Sequence, residues 1–219
     1  MSTSAMHVAK TGLTAQQYKM QVIANNLANV NTTGFKMDRA NFESLFYQIV
    51  KNAGAQTADN TSLTSPLAVG TGVKVVSTQK LFTQGGLNAT DNALDLAIDG
   101  KGFFQALLPD GRVGYTRSGI LSRNADGLLT TTSGYVVQPQ IQIPPDATSI
   151  NISSSGIVSV TAPGNDVAQE VGQLSLANFS NPRGLSPIGE NFFVESAESG
   201  VRRRARHWTV VMAKCCRAM

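Results

Sequence analysis

The sequence predicts an α+β protein that is mainly β: a single N-terminal helix of coiled-coil type, then an all-β domain of antiparallel hairpins. Three observations carry this. Apolar residues recur at 3-4 spacing through residues 5–30, and from about Val69 the apolar period falls to two. Beyond that point Asp-Gly and Ser-Gly pairs (Asp99-Gly100, Asp110-Gly111, Asp126-Gly127, Ser133-Gly134) punctuate short β segments, with no helical pattern between them. A parallel sheet with crossover helices is excluded on the same ground.

The helix comes first. Met6, Ala9, Leu13, Gln16, Met20, Ile23, Leu27 and Val30 follow one another at intervals 3-4-3-4-3-4-3, and only Gln16 is not apolar. This is a heptad seam, narrower than the stripe of a helix lying on a globular core. Ala, Gln, Lys and Met favour the helix, Thr3 or Ser4 serves as N-cap, and Gly12 costs about 1 kcal/mol relative to alanine. Asn29, Asn31, Thr32, Thr33 and Gly34 end it, because Asn and Gly tolerate the left-handed conformation of a helix C-terminus. A seam needs a cover. The residues leave two open: the chain's own β domain, or helices supplied by other subunits or by a C-terminal segment. These 219 residues contain no second long heptad stretch.

Phe42, Leu45, Phe46 and Ile49 suggest a short amphipathic helix within residues 35–50, and residues 51–66, rich in Asn, Ala, Thr, Ser and Gly, read as a linker or extended arm. The β segments then begin with Val73, Val75 and Ser77. They run through Leu94–Ile98, Phe103–Leu108, Tyr115–Leu121, Leu128–Thr132, Tyr135–Val137, Ile141–Ile143, Ile150–Ile152, Ile157–Val160 and Leu174–Phe179 to Phe192–Val194. The expected organisation is therefore a helix over 1–34, an extended connecting region over 35–72, an all-β domain over 73–196, and an atypical tail over 197–219.

That tail accounts for the charge. The formal net charge is +4, yet residues 201–219 hold 6 Lys/Arg and no acid, while the first 200 residues hold 12 Lys/Arg and all 14 Asp/Glu. Both cysteines (Cys215, Cys216), the single tryptophan (Trp208) and His207 also lie there. A nucleic-acid or anionic-lipid patch, a solvated basic arm, and a non-native continuation of the reading frame all accommodate it, and the abrupt change of composition favours the last. Reading two bases later from the Gly200 codon yields, with suitable synonymous codons, a loop-like string rich in turn residues. The gene sequence across that codon decides the matter.

Little catalytic chemistry is available. His7 lies on the helix and His207 in the tail, so serine has no partner base, and two adjacent cysteines make neither a zinc site nor a disulfide scaffold. Gly70-Thr-Gly72 and Gly100-Lys-Gly102 lack the rest of a phosphate loop and read as turns. Asp91, Asp95, Asp99 and Asp110 read as turn formers. No run approaches the ~18 apolar residues of a spanning helix, and no basic-then-apolar leader opens the chain. We expect no enzyme, and no catalytic, cofactor-binding or metal-binding residue.

Several stretches carry a resemblance. Ile23-Ala-Asn-Asn-Leu-Ala-Asn-Val-Asn-Thr-Thr-Gly-Phe-Lys36, preceded by Ala9-Lys-Thr-Gly-Leu13, resembles the N-terminal signature of the bacterial flagellar axial proteins, the rod and hook family. Its signature positions here are Asn25, Asn26, Leu27, Asn29, Gly34 and Phe35. Phe42–Gln48, Gly70–Val73, Leu96–Phe104, Tyr115–Gly119, Gly156–Val160 and Ile188–Asn191 narrow it to the distal rod type, with the proximal rod and hook proteins as alternatives. The resemblance implies a non-enzymatic subunit that polymerises helically into a hollow, torque-transmitting shaft needed for flagellum assembly and motility. The partners it implies are other copies of the chain, adjacent axial proteins and the rings around the rod, with no nucleic acid and no direct membrane insertion. It places the protein in the periplasm-spanning rod of the basal body, exported by the flagellar type III route without a cleaved signal. The helix would form the inner core, unstructured in the monomer, and the β domain would lie outside. The family adds a second, C-terminal heptad helix that this sequence does not show. If residues 201–219 are the native continuation, the lone seam predicts that the β domain folds while the subunit polymerises poorly or not at all, and normal rods built by this 219-residue form alone would overturn that. A monomeric secreted β-rich binding module with a helical arm is the rival reading.

Overall fold

The computed structural model describes residues 2–54, 56–58, 61–62, 64–90, 92–204, 209–212 and 214–217. One long helix is followed by many antiparallel strands, as the period change demanded. The chain divides into two units, Met1–Ala28 with Asp38–Lys80, and Asn29–Met37 with Leu81–Met219. The strand at 73–80 thus groups with the helix, and the short segment after the helix groups with the β domain.

In the first unit α1 spans Ser2–Ala28 and is followed by β1 (Asp38–Ser44), β2 (Tyr47–Lys51), β3 (Gln56–Ala58), β4 (Thr61–Ser62), β5 (Leu67–Gly70) and β6 (Val73–Lys80). The amphipathic helix expected within 35–50 is absent, and β1 and β2 occupy its place. Four apolar positions did not suffice to fix a helical period. Tyr47, Ile49 and Val50 suit a pleated surface, and β6, with Val73, Val75, Val76 and Thr78, offers β1 a ladder of backbone hydrogen bonds. β1 and β6 form an antiparallel ribbon from Asp38↔Lys80 to Ser44↔Val73, with a bulge at Asn41/Phe42. Lys80 Nζ donates to both carboxylate oxygens of Asp38 at 3.0 Å, tying the ribbon's end. β2 and β5 make a second ribbon, an arm whose strands flank the stretch read as a linker or extended arm, and β3 pairs with β4 within that stretch.

The second unit contains β7 (Gly86–Ala89), β8 (Leu96–Asp99), β9 (Phe104–Leu107), β10 (Val113–Thr116), β11 (Leu121–Arg123), β12 (Leu129–Thr131), β13 (Val137–Gln138), β14 (Ser149–Ile152), β15 (Ile157–Ala162), β16 (Asn165–Gln173), β17 (Ala177–Asn178), β18 (Ser186–Gly189), β19 (Phe192–Val194), β20 (Arg203–Arg204), β21 (Thr209–Met212) and β22 (Lys214–Arg217). The main sheet has the order β13-β9-β10-β19-β18, and β14-β15-β16 form a separate three-stranded sheet. The basic tail contributes ladders here: β20 pairs with β17, β21 with β8 and β22 with β7. His207 and Trp208 lie outside the described residues.

Alternation of side chains divides the core. Phe104 joins Leu96, Ile98, Leu129, Ile143, Ile152, Val158, Leu174 and others in an aliphatic cluster. Its neighbour Phe103 points the other way, into a cluster with Tyr115, Phe179, Leu185 and Phe193. Phe192 and Phe193 separate likewise, Phe192 packing with Ala106, Leu108 and Val194. The aromatic rings meet edge to face, Tyr115 on Phe179 at 4.8 Å and Phe82 on Phe103 at 5.6 Å between centroids. Arg117 covers Phe103 and donates to the carbonyls of Gly100 and Gly102.

The segment Asn29–Met37 is bound into this unit. Asn191 Nδ2 donates to the Thr33 carbonyl at 3.3 Å, and Lys36, buried along with Phe35, donates from Nζ to the Thr83 carbonyl at 2.7 Å. Gly34 adopts φ +73°, and a Cβ there would lie 2.5 Å from the Ser118 nitrogen. The signature glycine is therefore required twice, by backbone conformation and by close approach.

Two expectations follow. Gly34→Ala must shift the Arg117–Ser118 backbone as well as adopt a strained φ, and should lower the stability of the second unit by about 2–4 kcal/mol in urea unfolding. Burial first, and the hydrogen bond from Tyr115 Oη to Glu195 Oε1 at 2.7 Å second, push the phenol's pKa up to about 12. The folded chain holds this proton more tightly than the unfolded one. Its contribution is thus complete below the ordinary tyrosine value of about 10 and lost as pH rises through the folded value. Melting temperatures should fall across that alkaline interval, and Tyr115→Phe should flatten the fall.

Candidate assembly surface

α1 is long enough to carry two stripes. The seam residues Met6, Ala9, Leu13, Gln16, Met20, Ile23 and Leu27 all lie on it, and every one is exposed, Leu13 at 73% and Leu27 at 69%. Val30 lies past the helix end, in the segment Asn29–Met37, and is also exposed. No charged side chain interrupts the seam.

A second stripe, Val8, Thr11, Ala15, Val22 and Asn26, is partly or fully buried. At about 100° per residue it lies roughly 120° around the helix from the seam. It holds α1 against the ribbon of β1 and β6. Toward the N-terminal half Thr11 Oγ1 donates to the Val8 carbonyl at 2.9 Å and receives the Val73 N–H at 3.5 Å. Gly72, at φ +128°, admits this approach, since a Cβ there would lie 2.3 Å from Thr11 Oγ1. At the C-terminal end Asn26 Nδ2 donates to the Asp38 carbonyl at 2.9 Å, and Asn26 Oδ1 accepts the Asp38 N–H at 2.9 Å. The carboxamide thus pairs with the first residue of β1 as a neighbouring strand would.

The remaining signature residues fall in different places. Asn25 is exposed, and Asn29 closes the turn, its carbonyl accepting the Thr32 N–H at 3.0 Å and its side chain accepting Thr32 Oγ1 at 3.3 Å. Leu27 stays on the seam, whereas Gly34 and Phe35 are buried in the second unit. Sequence reasoning missed the Asn26 pairing and the whole second stripe. It also missed a further apolar surface, on the β2–β5 arm, where Phe46 is 90% exposed and Tyr47, Ile49, Val50, Leu67 and Val69 are exposed too.

Of the carboxylates read as turn formers, Asp95 and Asp110 hold nearby residues of the chain by hydrogen bonds, and Asp99 is the last residue of β8. Asp95 accepts Thr90 Oγ1 and Asn92 Nδ2, each at 3.0 Å, and Asp110 accepts the Arg112 backbone N–H at 3.0 Å. The Arg112 hydrogen bonds hold the Asp110 carboxyl below the usual range. Asp91 lies outside the described residues. Among the described residues no three His, Cys, Asp or Glu gather as a metal site, and no helix is long and apolar enough to cross a membrane.

Comparison with known proteins places these features. Residues 6–36 match the family model described as flagella basal body rod protein, and residues 97–160 the model described as flagellar hook protein FlgE/F/G D1 domain. The flagellar basal-body rod protein FlgG of Buchnera aphidicola subsp. Schizaphis graminum is 50% identical over 196 residues, covering 90% of this chain and 75% of that protein. The FlgG of Caulobacter vibrioides is 48% identical over 197 residues, with the same shares. The flagellar hook protein FlgE of Helicobacter pylori is 35% identical over 173 residues, which is 78% of this chain but 24% of the hook protein. Rod-type relatives are therefore matched over most of their length and the hook protein over a minor part of its own. The chain belongs to the FlgG family of flagellar basal-body rod proteins, the non-enzymatic structural subunits of the distal rod.

Proposed function

We propose that the exposed seam of α1 is the surface through which this rod subunit polymerises, packing against the same helix of neighbouring copies to form the inner wall of a hollow shaft. One observation supports the reading above others. All seven seam residues on α1 face solvent while the helix is held to its own ribbon by a different stripe. Met6, Leu13, Met20, Ile23 and Leu27 leave an apolar line uncovered, interrupted only by Gln16, and each would gain about 1.5–3 kcal/mol on full burial. Leaving such a line in water is costly unless another surface of like pattern covers it. The apolar arm of β2 and β5 offers a second contact surface of the same kind.

Torque transmission then needs no chemistry at all. Many modest contacts, repeated along a closed tube, share a shear load that no single contact would bear. The N-terminal helix supplies the inner core, and the β unit beginning at Leu81 supplies outer surface for adjacent axial proteins and for the rings around the rod. The chain reaches that position, in the periplasm-spanning part of the basal body, through the flagellar export apparatus.

Leu27→Asp tests the seam. Burying an unpaired carboxylate where a leucine belonged should raise the concentration needed for association by about 100-fold or more, on a loss of roughly 3 kcal/mol or more. Sedimentation of a concentration series, with circular dichroism on the same samples, reads both association and helix content. The parent chain should gain helix as it associates, the variant should do neither, and the β unit should melt alike in both. Association of the variant at parental concentrations would remove the seam from the account.

A further inference from the structure

We infer that Asn26 is a positioning residue for assembly: its carboxamide clamps α1 to the first residue of β1 and so fixes the roll of the helix, which decides that the seam points outward. The inference deepens the assembly reading above and rests on it for its functional meaning.

The argument starts from what an apolar contact can and cannot specify. Val8, Ala15 and Val22 are small side chains on the ribbon-facing stripe, and burial of such groups is non-directional. A helix with a larger apolar line elsewhere on its surface would gain more by rolling that line, with Met6, Leu13, Met20, Ile23 and Leu27, onto the β1–β6 ribbon. The isolated chain would then satisfy its own seam and lose the surface meant for its neighbours. Hydrogen bonds oppose this because they are directional. Asn26 makes two with one peptide unit, each at 2.9 Å, donating to the Asp38 carbonyl and accepting its N–H. Only an uncharged amide of this length both donates and accepts along one side-chain plane. Rolling the helix would break both bonds and leave the Asp38 peptide groups without these partners at the start of β1. Thr11 makes the corresponding contact further along, at Val73. Next to Asn26 in the chain stands Leu27, which is 69% exposed, so the residue that fixes the roll directly precedes one that assembly would bury.

Thiol reactivity reads the roll. In the full chain carrying Cys215→Ser and Cys216→Ser, a cysteine is introduced at half-buried Val22 or at exposed Ile23, and labelling by a maleimide is followed over a concentration series with helix content measured in parallel. Where the helix is formed, Val22→Cys should react at least several-fold more slowly than Ile23→Cys. Asn26→Leu should bring the two rates together, because two net hydrogen bonds correspond to roughly a tenfold to hundredfold shift toward other rolls. Asn26→Asp should do the same near neutral pH. It keeps the shape of the side chain but has no donor for the Asp38 carbonyl, so a merely steric role would leave this variant unchanged. Urea unfolding of the β unit should not move in either variant. Unchanged rates in Asn26→Leu or Asn26→Asp overturn the clamp, as do equal rates at the two positions of the parent at every concentration. A parent chain that keeps unequal rates but never associates overturns the seam reading and leaves the clamp standing.

Discussion

Paired strands lie about 4.8 Å apart, so a two-stranded ribbon faces only part of the girth of a helix, about 10–12 Å across with its side chains. The ribbon of β1 and β6 can cover one line of α1, and a helix of 27 residues with apolar groups on more than one side must leave the rest in water. Everything specific about the first unit follows from which line is covered. In this chain the covered line is the weaker one, built of Val, Thr, Ala and Asn, and the uncovered line holds Met, Leu and Ile. The unit thus presents an apolar surface that its own strands leave uncovered.

The second unit is built on the opposite principle. Phe103, Phe104, Ile143, Ile152, Val158, Leu174 and Leu176 are all essentially inaccessible to solvent, and strand alternation sends Phe103 and Phe104 into different clusters so that both faces of that stretch are covered. Its one described buried side-chain oxygen without a partner is Thr131 Oγ1. A body packed in this way gains its stability from its own core and does not wait for a neighbour. Seam variants are therefore expected to separate assembly from folding, because the apolar burial that holds the β unit together lies in its own core clusters, none of whose residues belongs to the seam.

Much of this was legible in the residues, for physical reasons that also explain the misses. The 3-4 line from Met6 to Leu27 and the alternation after Val73 are repeated many times, so neither depends on any single residue. The stretch from Phe42 to Ile49 offered only four apolar positions, and with so few the helical and β periods are not distinguishable by spacing. Two ladders decided it, Phe42 pairing with Val75 in β6 and Ile49 with Ala68 in β5, while Leu45 and Phe46 fall between β1 and β2. β16 and β18 were not recognised because Asn165–Gln173 is mostly polar and Ser186–Gly189 contains Pro187. Each of these strands pairs with a single neighbour at the edge of its sheet. The ribbon-facing stripe escaped because hydrophobicity was the signal sought, and Thr11 and Asn26 face the ribbon through polar atoms. The spacing 8-11-15-22-26 skips the exposed Tyr18 and ends on a four-residue step out of heptad register, so it lacks the unbroken 3-4 alternation that makes the seam legible.

The same consideration explains why an amide, and not a larger apolar group, stands where the helix meets β1. Greasy contacts supply most of the attraction between elements but tolerate sliding and rolling, since the area buried changes little with small displacements. A subunit whose outward face must match a neighbour's within one ridge of side chains needs a contact that fails when the helix turns. A bidentate amide pair on a backbone peptide is such a contact, and its modest net energy suits it to the task. It selects among rolls of similar burial without having to hold the helix down. Directional bonds at Thr11 and Asn26 then set the geometry, non-directional burial at Val8, Ala15 and Val22 supplies adhesion, and the strongest apolar line is left for whatever covers it from outside.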